Sequence, residues 1–476
     1  MQDLVRKSAV LPENSWWSHI RGTLSIGIPL VGAQLAQLGI HTTDVIIIGQ
    51  LGAQSLAAIV LAGQFLFTIF IFGTGFSMAV VPMVAQAYGR GEVTAVRRSL
   101  RMGLWVAIGY WIAMQPALLN AEAILIRLGQ QPETAALAGR YVAIAEFGLL
   151  PGLLFIALRS MVSAINRAAV VLWATIFMLV TNAVLAYGLV LGHFGLPALG
   201  MDGAAFVAVF VQFAGLAVLV VYIQGRAETR AYQVFVRFWR PDWQALKEVI
   251  RLGLPICITI LAEVSLFSAS SLMMGALGTV ELAAHGIALQ LASITFMIPL
   301  GLGQGATVRI GVAHGKGDFT GVRRAAITVV ILAAIVSITG GLAFALIPEK
   351  FAALFLNPET PNAGAVLAYA GPLIVTAGLF QLCDGQQAIF ASLLRGLKDA
   401  RVPMLLALVA YWPIGFFTAW LLAFPLGFGG IGVWFGIVFG LLAASIMLCI
   451  RFVLLLKREK LALDPGGIGQ EAVHAR

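Results

Sequence analysis

LGLPICITILAEVSLFSASSLMMG, residues 252–275, carries a single charged side chain, Glu263. A helix rises about 1.5 Å per residue, so about 20 apolar residues cross a hydrocarbon core ~30 Å thick, and this run is long enough. Eleven similar runs flank it, which puts span centres near residues 36, 68, 110, 149, 181, 213, 261, 294, 335, 377, 413 and 442. Over all 476 residues, 60% are hydrophobic and 11% charged. A water-soluble domain carries about 25% charged residues, so lipid must be the solvent for most of this chain. The same composition excludes disorder, a collagen helix and a disulfide scaffold. Cys257, Cys383 and Cys449 lie inside apolar runs and read as small core residues.

Residues 1–18 hold Arg6 and Lys7 but no apolar h-region, so the first run is expected to remain as a span. Twelve spans place both termini on one side. Of the 30 Lys and Arg, only Arg127, Arg140 and Lys350 fall on the opposite face. The positive-inside rule then makes both termini and the basic loops cytoplasmic, in a multi-pass protein of the plasma (inner) membrane. The net charge of +9 is accounted for by orientation and anionic headgroups. Nucleic acid is not expected as a partner. The one basic stretch with interleaved aromatics, Arg226 to Arg251, reads as an amphipathic linker on the membrane surface.

Shifting the sequence by 226 positions aligns it with itself. Ile26-Gly27-Ile28-Pro29 meets Leu252-Gly253-Leu254-Pro255, Gly49-Gln50-Leu51-Gly52 meets Gly275-Ala276-Leu277-Gly278, and Leu56-Ala57-Ala58 meets Leu282-Ala283-Ala284. The register continues through Gly89-Arg90-Gly91-Glu92 with Gly315-Lys316-Gly317-Asp318 and reaches Arg97-Arg98 with Arg323-Arg324, about 20 identities without a gap. Six spans per copy give the copies one orientation, so they are parallel repeats about an axis along the membrane normal. The expected fold class is an all-α integral membrane protein, twelve helices in two pseudo-symmetric six-helix lobes. The domains follow as an N-lobe over 1–225, a basic cytoplasmic linker over 226–250, a C-lobe over 251–456 and a cytoplasmic tail over 457–476. Two facing bundles imply a central cavity and a rocking motion, the plan of a transporter.

The paired Gly-x-Gly-acid turns lack a preceding strand and the full glycine spacing of a nucleotide fingerprint, so they read as tight turns. Without a nucleotide site, transport would be driven by an ion gradient. The six histidines are scattered and form no metal-ligand cluster; His41 and His285 read as hydrogen-bonded packing residues.

An acid inside a span costs about 2.5–3.5 kcal/mol at the bilayer centre on insertion scales and persists only if partnered or functional. Asp44, Glu146, Glu263 and Asp384 qualify. Glu263 sits mid-span, eight residues after the helix-bending Pro255. Asp384 has Gln381 at i−3 and Gln387 at i+3, which form a polar stripe on its face. Neither has a Lys or Arg expected inside its own span, so a proton or a Na⁺ would complete the pair; the alternative is a structural carboxyl bonding between helices. Asp44, with Gln37 and His41 on its side of the helix, lies nearer an interface, where a solvated or capping role is open to it. Glu146, near Arg140, reads as interfacial. Gln34, Gln37, Gln64, Phe267 and Trp412 are candidates to line a substrate path, against the alternative of ordinary helix packing.

Together these residues resemble the MATE (multidrug and toxic compound extrusion) family, in its NorM-like branch. The resemblance rests on Thr43-Asp44 with Gly49-Gln50-Leu51-Gly52, Ala262-Glu263-Val264-Ser265-Leu266-Phe267, Ala283-Ala284-His285 followed by Met297-Ile298-Pro299-Leu300-Gly301, and Gln381-Leu382-Cys383-Asp384 leading to Leu394-Arg395-Gly396-Leu397-Lys398-Asp399. It covers nearly the whole chain from about Ser18 to Leu456. It implies a two-lobed cation/drug antiporter with a V-shaped cavity, in which Glu263 and Asp384 form a C-lobe cation site and Asp44 serves the N-lobe, assisted by Asn182. The chain departs from the family where a tyrosine one turn before the span-ten acid is Phe380, a Gln after Ala-Ala-His is Gly286, and a second polar residue after Asn182 is Ala186.

The resulting expectation is a monomeric, non-enzymatic antiporter. It would export amphipathic, often cationic, small organic compounds by alternating access, with membrane lipids around it and no cofactor beyond the coupling ion, H⁺ or Na⁺. A lipid-linked precursor flippase of the same superfamily is the alternative and would call for a more basic central cavity. An embedded enzyme would need a convergent nucleophile or metal constellation. A passive channel would lose conductance control, not uphill transport, on Glu263→Gln.

Overall fold

The computed structural model describes residues 15–355 and 362–463. Arg6, Lys7 and most of the tail expected over 457–476 lie outside them. Among the described residues there is no strand, and twelve helices are long and apolar enough to span a membrane. They are α1 (Trp16–Gly49), α2 (Gln54–Gly89), α3 (Val93–Leu119), α4 (Pro132–Ala164), α5 (Ala168–Leu191), α6 (Gly200–Gly225), α7 (Trp243–Leu277), α8 (Thr279–Gly315), α9 (Phe319–Leu346), α10 (Ala363–Gly396), α11 (Arg401–Ala423) and α12 (Gly429–Arg458). Each span centre read from the sequence falls inside its helix. Lipid offers the backbone no hydrogen bonds, so a run of this length can cross only with its bonds closed internally. The outward faces stay apolar, as in Trp173, 67% exposed, and Leu272, 76% exposed.

The chain divides into two compact units, Met1–Leu261 with Leu300–Lys316, and Ala262–Pro299 with Gly317–Arg476. The division falls inside α7 and α8. In the first unit α1 lies along α5, α5 along α6, and α2 against α3 and α4. Gly32 and Gly39, two turns apart on α1, leave the room that Leu172 and Leu179 of α5 occupy. The first part of α7 and the last part of α8 belong here because Gly253 admits Phe76 and Gly301 admits the Val31 backbone. In the second unit α10 packs on α9 and α12, and α11 on α12. Gly341 and Gly378 bring α9 and α10 together backbone to backbone, as Gly415 and Gly440 do for α11 and α12. With no hydrophobic drive between helices in lipid, such close approach supplies the dispersion that holds them.

The repeated turns agree in detail. Gly91 and Gly317 adopt φ of 74° and 71°, left-handed values that suit glycine. Asp318 caps its helix, accepting from the Gly321 N–H at 2.7 Å, whereas Glu92 pairs with Arg90 at 3.0 Å.

Several arginines counted for topology are interior bonds of the first unit. Arg159 donates to Gln304 Oε1 at 3.2 Å, and Arg309 donates to the His19 carbonyl at 2.6 Å and to Thr23 Oγ1. The stretch read as a surface linker is also fastened to this unit. Arg101 donates to the Arg237 carbonyl and Trp105 Nε1 to the Phe238 carbonyl, each at 3.0 Å, and Tyr232 is 5% exposed. Residues 243–250 are already part of α7. A chain that must return its backbone polar groups to partners does so against the end of α3, which offers an arginine and an indole as donors.

Candidate functional site

Glu263 on α7 and Asp384 on α10 come together in the second unit, close enough to act on each other electrostatically. Asp384 is 3% exposed, and its Oδ1 has no hydrogen-bond partner. It borders a small cavity, with room for about one water-sized group, whose walls are Thr295, Phe296, Pro299, Val336, Ser337, Gln381 and Asp384. Carboxylate, hydroxyl and amide oxygens on three helices are the hard donors that a proton or a Na⁺ takes. Gln381, read as part of the stripe on this face, lines the cavity, while Gln387 donates from Nε2 to the Tyr411 hydroxyl at 2.8 Å.

Tyr411 in turn hydrogen bonds to Glu263. This phenol comes from a π-helical stretch of α11, Ala410–Phe416, which contains Pro413. Pro413 has no N–H and its ring crowds the preceding turn, so the helix widens there and Tyr411 is fully enclosed. The sequence signal was Pro413 itself, which marks a bend without saying which side chain the bend turns inward.

One expectation needs correction. Glu263 is not free of a cation, because the Arg395 guanidinium acts on both Glu263 and Tyr411. Arg395 occupies the last turn of α10 and was counted with the loop beyond it. Helical side chains lean toward the N-terminus of their helix, so a long side chain at the end of α10 reaches back into the bundle. Asp384 feels Glu263 in turn.

In the first unit Asp44 accepts a hydrogen bond from Asn182 Nδ2 on α5 at 2.8 Å, with Asn182 1% exposed and Tyr141 of α4 nearby. Gln34 is half-buried, and Gln37, Gln64 and His41 are exposed, so His41 is not the enclosed packing residue expected of it. His285 is enclosed. Its Nδ1 accepts from Trp434 Nε1 at 3.1 Å and its Nε2 meets Ser271 Oγ at 3.2 Å. Phe267 meets Phe380 edge-on at 5.9 Å and Phe380 meets Trp434 at 5.5 Å, while Trp412 leans on Phe416 at 5.3 Å.

The MatE family model matches residues 29–188 and 255–421, opening each time on the repeat's proline, Pro29 or Pro255. The chain belongs to the MATE family. A probable multidrug resistance protein NorM of Agrobacterium fabrum is 64% identical over 94% of this chain and 96% of its own length. One of the same description from Rhizobium meliloti is 58% identical over the same shares. The fold is that of solved relatives. The eukaryotic MATE transporter AtDTX14, 21% identical, superposes with a TM-score of 0.84 over 93% of this chain and 98% of that one.

MATE proteins are transporters, so this chain is a multi-pass membrane transporter and not an enzyme. The departures from the family pattern now have surroundings. Phe380, where the family often has tyrosine, is locked in the apolar stack with Phe267 and Trp434, and the phenol near the acids comes from Tyr411 on another helix. Ala186 is buried in the first unit's core and Gly286 is exposed on α8.

Proposed function

We propose that this chain exports amphipathic, often cationic, organic compounds in exchange for an inward-moving H⁺ or Na⁺. It would act as a monomer in the plasma (inner) membrane with both termini cytoplasmic, by alternating access. The observation that carries the reading is the buried, unpartnered oxygen of Asp384 beside Glu263. Glu263 has a phenol and a guanidinium; Asp384 depends on a visiting cation. Asp44 with Asn182 serves as the first unit's acid, with Gln34, Gln37, Gln64, Phe267 and Trp412 along the substrate path. The names of the NorM relatives support the multidrug reading, and the one-sided distribution of Lys and Arg supports the orientation.

The coupling cation must bind the two arrangements of the protein, or the two drug states, with different affinity, or nothing is exported. One charge entering down ~100 mV supplies about 2.3 kcal/mol, a ceiling of roughly fifty-fold accumulation without a concentration gradient. Exchange for a monovalent drug cation cancels that electrical part. The test is uptake of a fluorescent cation into inverted vesicles, the equivalent of export from the cell, with ΔpH and ΔNa⁺ imposed separately, for wild type, Glu263→Gln and Asp384→Asn. Uphill export should fail in both variants and respond to one gradient. Unchanged uphill export in both rejects the coupling site.

A further inference from the structure

Glu146, 2% exposed and so not at the interface where its sequence position put it, is met by the Gln115 side chain. His285 on α8, 1% exposed, is met on both ring nitrogens. An indole N–H can only donate, so the Nδ1 that takes Trp434 Nε1–H at 3.1 Å carries no hydrogen of its own. The imidazole hydrogen then sits on Nε2 and points to Ser271 Oγ at 3.2 Å. Ser271 is left to donate its own hydrogen to the Phe267 carbonyl, 3.1 Å away. A second proton on His285 would set two N–H groups head to head at Nδ1. The bonds admit one arrangement, a neutral imidazole.

This chain of bonds closes on itself through aromatic rings. Phe267 meets Phe380 of α10 edge-on at 5.9 Å, and Phe380 meets Trp434 of α12 edge-on at 5.5 Å. Phe380 and Trp434 are buried, so neither ring can turn without vacating packed space. Five side chains of the second unit thus join α7, α8, α10 and α12 in one circuit. Its place along the bundle is set by the acids. Phe267 stands one turn after Glu263 and Phe380 one turn before Asp384. As an odd and an even span, α7 and α10 run in opposite directions, so both steps lead the same way along the bundle. On the other side of the pair, Tyr411 joins Glu263 to Gln387, which lies one turn after Asp384. The two acids are bracketed by a ring contact on one side and a phenol on the other.

We propose that His285, with Ser271 and Trp434, is a positioning residue of the coupling site: the closed circuit fixes the separation of α7 and α10 beside Glu263 and Asp384. The inference rests on the coupling reading above, because that spacing matters to a cation the two acids share. Groups that hold a small cation must themselves be held to within about 0.5 Å, which is the work of the residues behind them. His285 does this through bonds that need every member. Without the Ser271 hydroxyl the Nε2–H is a buried donor with no acceptor, and a buried polar network that is only partly matched loosens the packing around it.

Two measurements on the full chain in lipid vesicles test this. Solid-state NMR of histidine labelled with heavy nitrogen should show His285, assigned as the signal that His285→Leu removes, with a protonated Nε2 and a bare Nδ1. Uptake of a fluorescent cation into inverted vesicles reads the function. Ser271→Ala, which opens the circuit, should raise the coupling-ion concentration at half-maximal uptake about tenfold and leave downhill exchange of the dye unchanged. Ser271→Thr, which keeps the hydroxyl, should give the wild-type value. An Nδ1–H or doubly protonated His285 would overturn the proposal, since Trp434 could not then donate to it. So would equal half-saturation in wild type and Ser271→Ala while Asp384→Asn is uncoupled, a result that leaves the coupling reading standing. Uphill uptake retained in Asp384→Asn rejects the coupling reading itself, and the positioning role with it.

Discussion

Asp44 in the first unit and the Glu263–Asp384 pair in the second answer the same problem, an acid in oil, with different partners. Asp44 has one neutral amide, Asn182 at 2.8 Å. Glu263 has a phenol backed by Gln387 and a guanidinium, while Asp384 has an oxygen without a partner. The repeat sharpens the contrast. At the offset of 226, Glu263 corresponds to Gln37 and Asp44 to Ser270, so the two copies carry their acids at different turns of equivalent helices. Duplication supplied the scaffold, and the charges were placed on it separately. The lesson is that a cation near one carboxylate of a pair does not neutralise the pair; it selects which member remains to be completed.

The largest effect should come from Asp384→Asn, which removes the incompletely partnered member: uphill efflux is lost while downhill exchange of the same dye persists. Retained uphill export would break the comparison. Next, Arg395→Gln leaves Glu263 without its cation, so both acids then need one. The apparent affinity for the coupling ion should rise by about tenfold, read as the ion concentration at half-maximal efflux. No change would mean that Arg395 is too well solvated to matter. Asn182→Ala and Tyr411→Phe compare the amide with the phenol. Each removes one hydrogen bond to an acid, worth about 1.5–3 kcal/mol when the acceptor is charged. Asn182→Ala should alter drug or ion dependence more than Tyr411→Phe, because Glu263 retains Arg395 and Asp44 has no such second partner among the groups described. The smallest effect lies outside the membrane. Burial, with Tyr88 adding, pushes the Tyr232 phenol up to about 12. An acid raised in the folded state stabilises below its unfolded value of about 10 and loses that stabilisation as pH passes about 12. Hydrogen exchange in residues 229–242 should therefore quicken in that alkaline window, and Tyr232→Phe should remove the step.

Much of the architecture was legible from single residues and runs. The centre read near residue 413 falls in α11 although Pro413 interrupts it, because an apolar run in lipid has no alternative to a helix. The offset that joins Pro29 to Pro255 reappears as matching backbone at Gly91 and Gly317. Asp384 stood out because acids are rare in spans. Arg395 and Tyr411 were missed for one reason: each lies along its helix where the count of residues points one way and the side chain or a local change of helix type carries it another. Arg395 leans back from a helix end, and Tyr411 is turned inward by a π segment.

By itself the sequence determined that the chain lives in lipid, crosses it twelve times, and is a duplicated transporter with its acids at known positions. Those properties follow from transfer free energies and periodicity, which act residue by residue. Only the tertiary structure decided which acid keeps an unmatched oxygen, which arginines turn inward, and where α7 and α8 change allegiance between the two units. Those outcomes depend on distances between groups far apart in the chain, and an electrostatic or hydrogen-bonding partner is defined by such a distance alone.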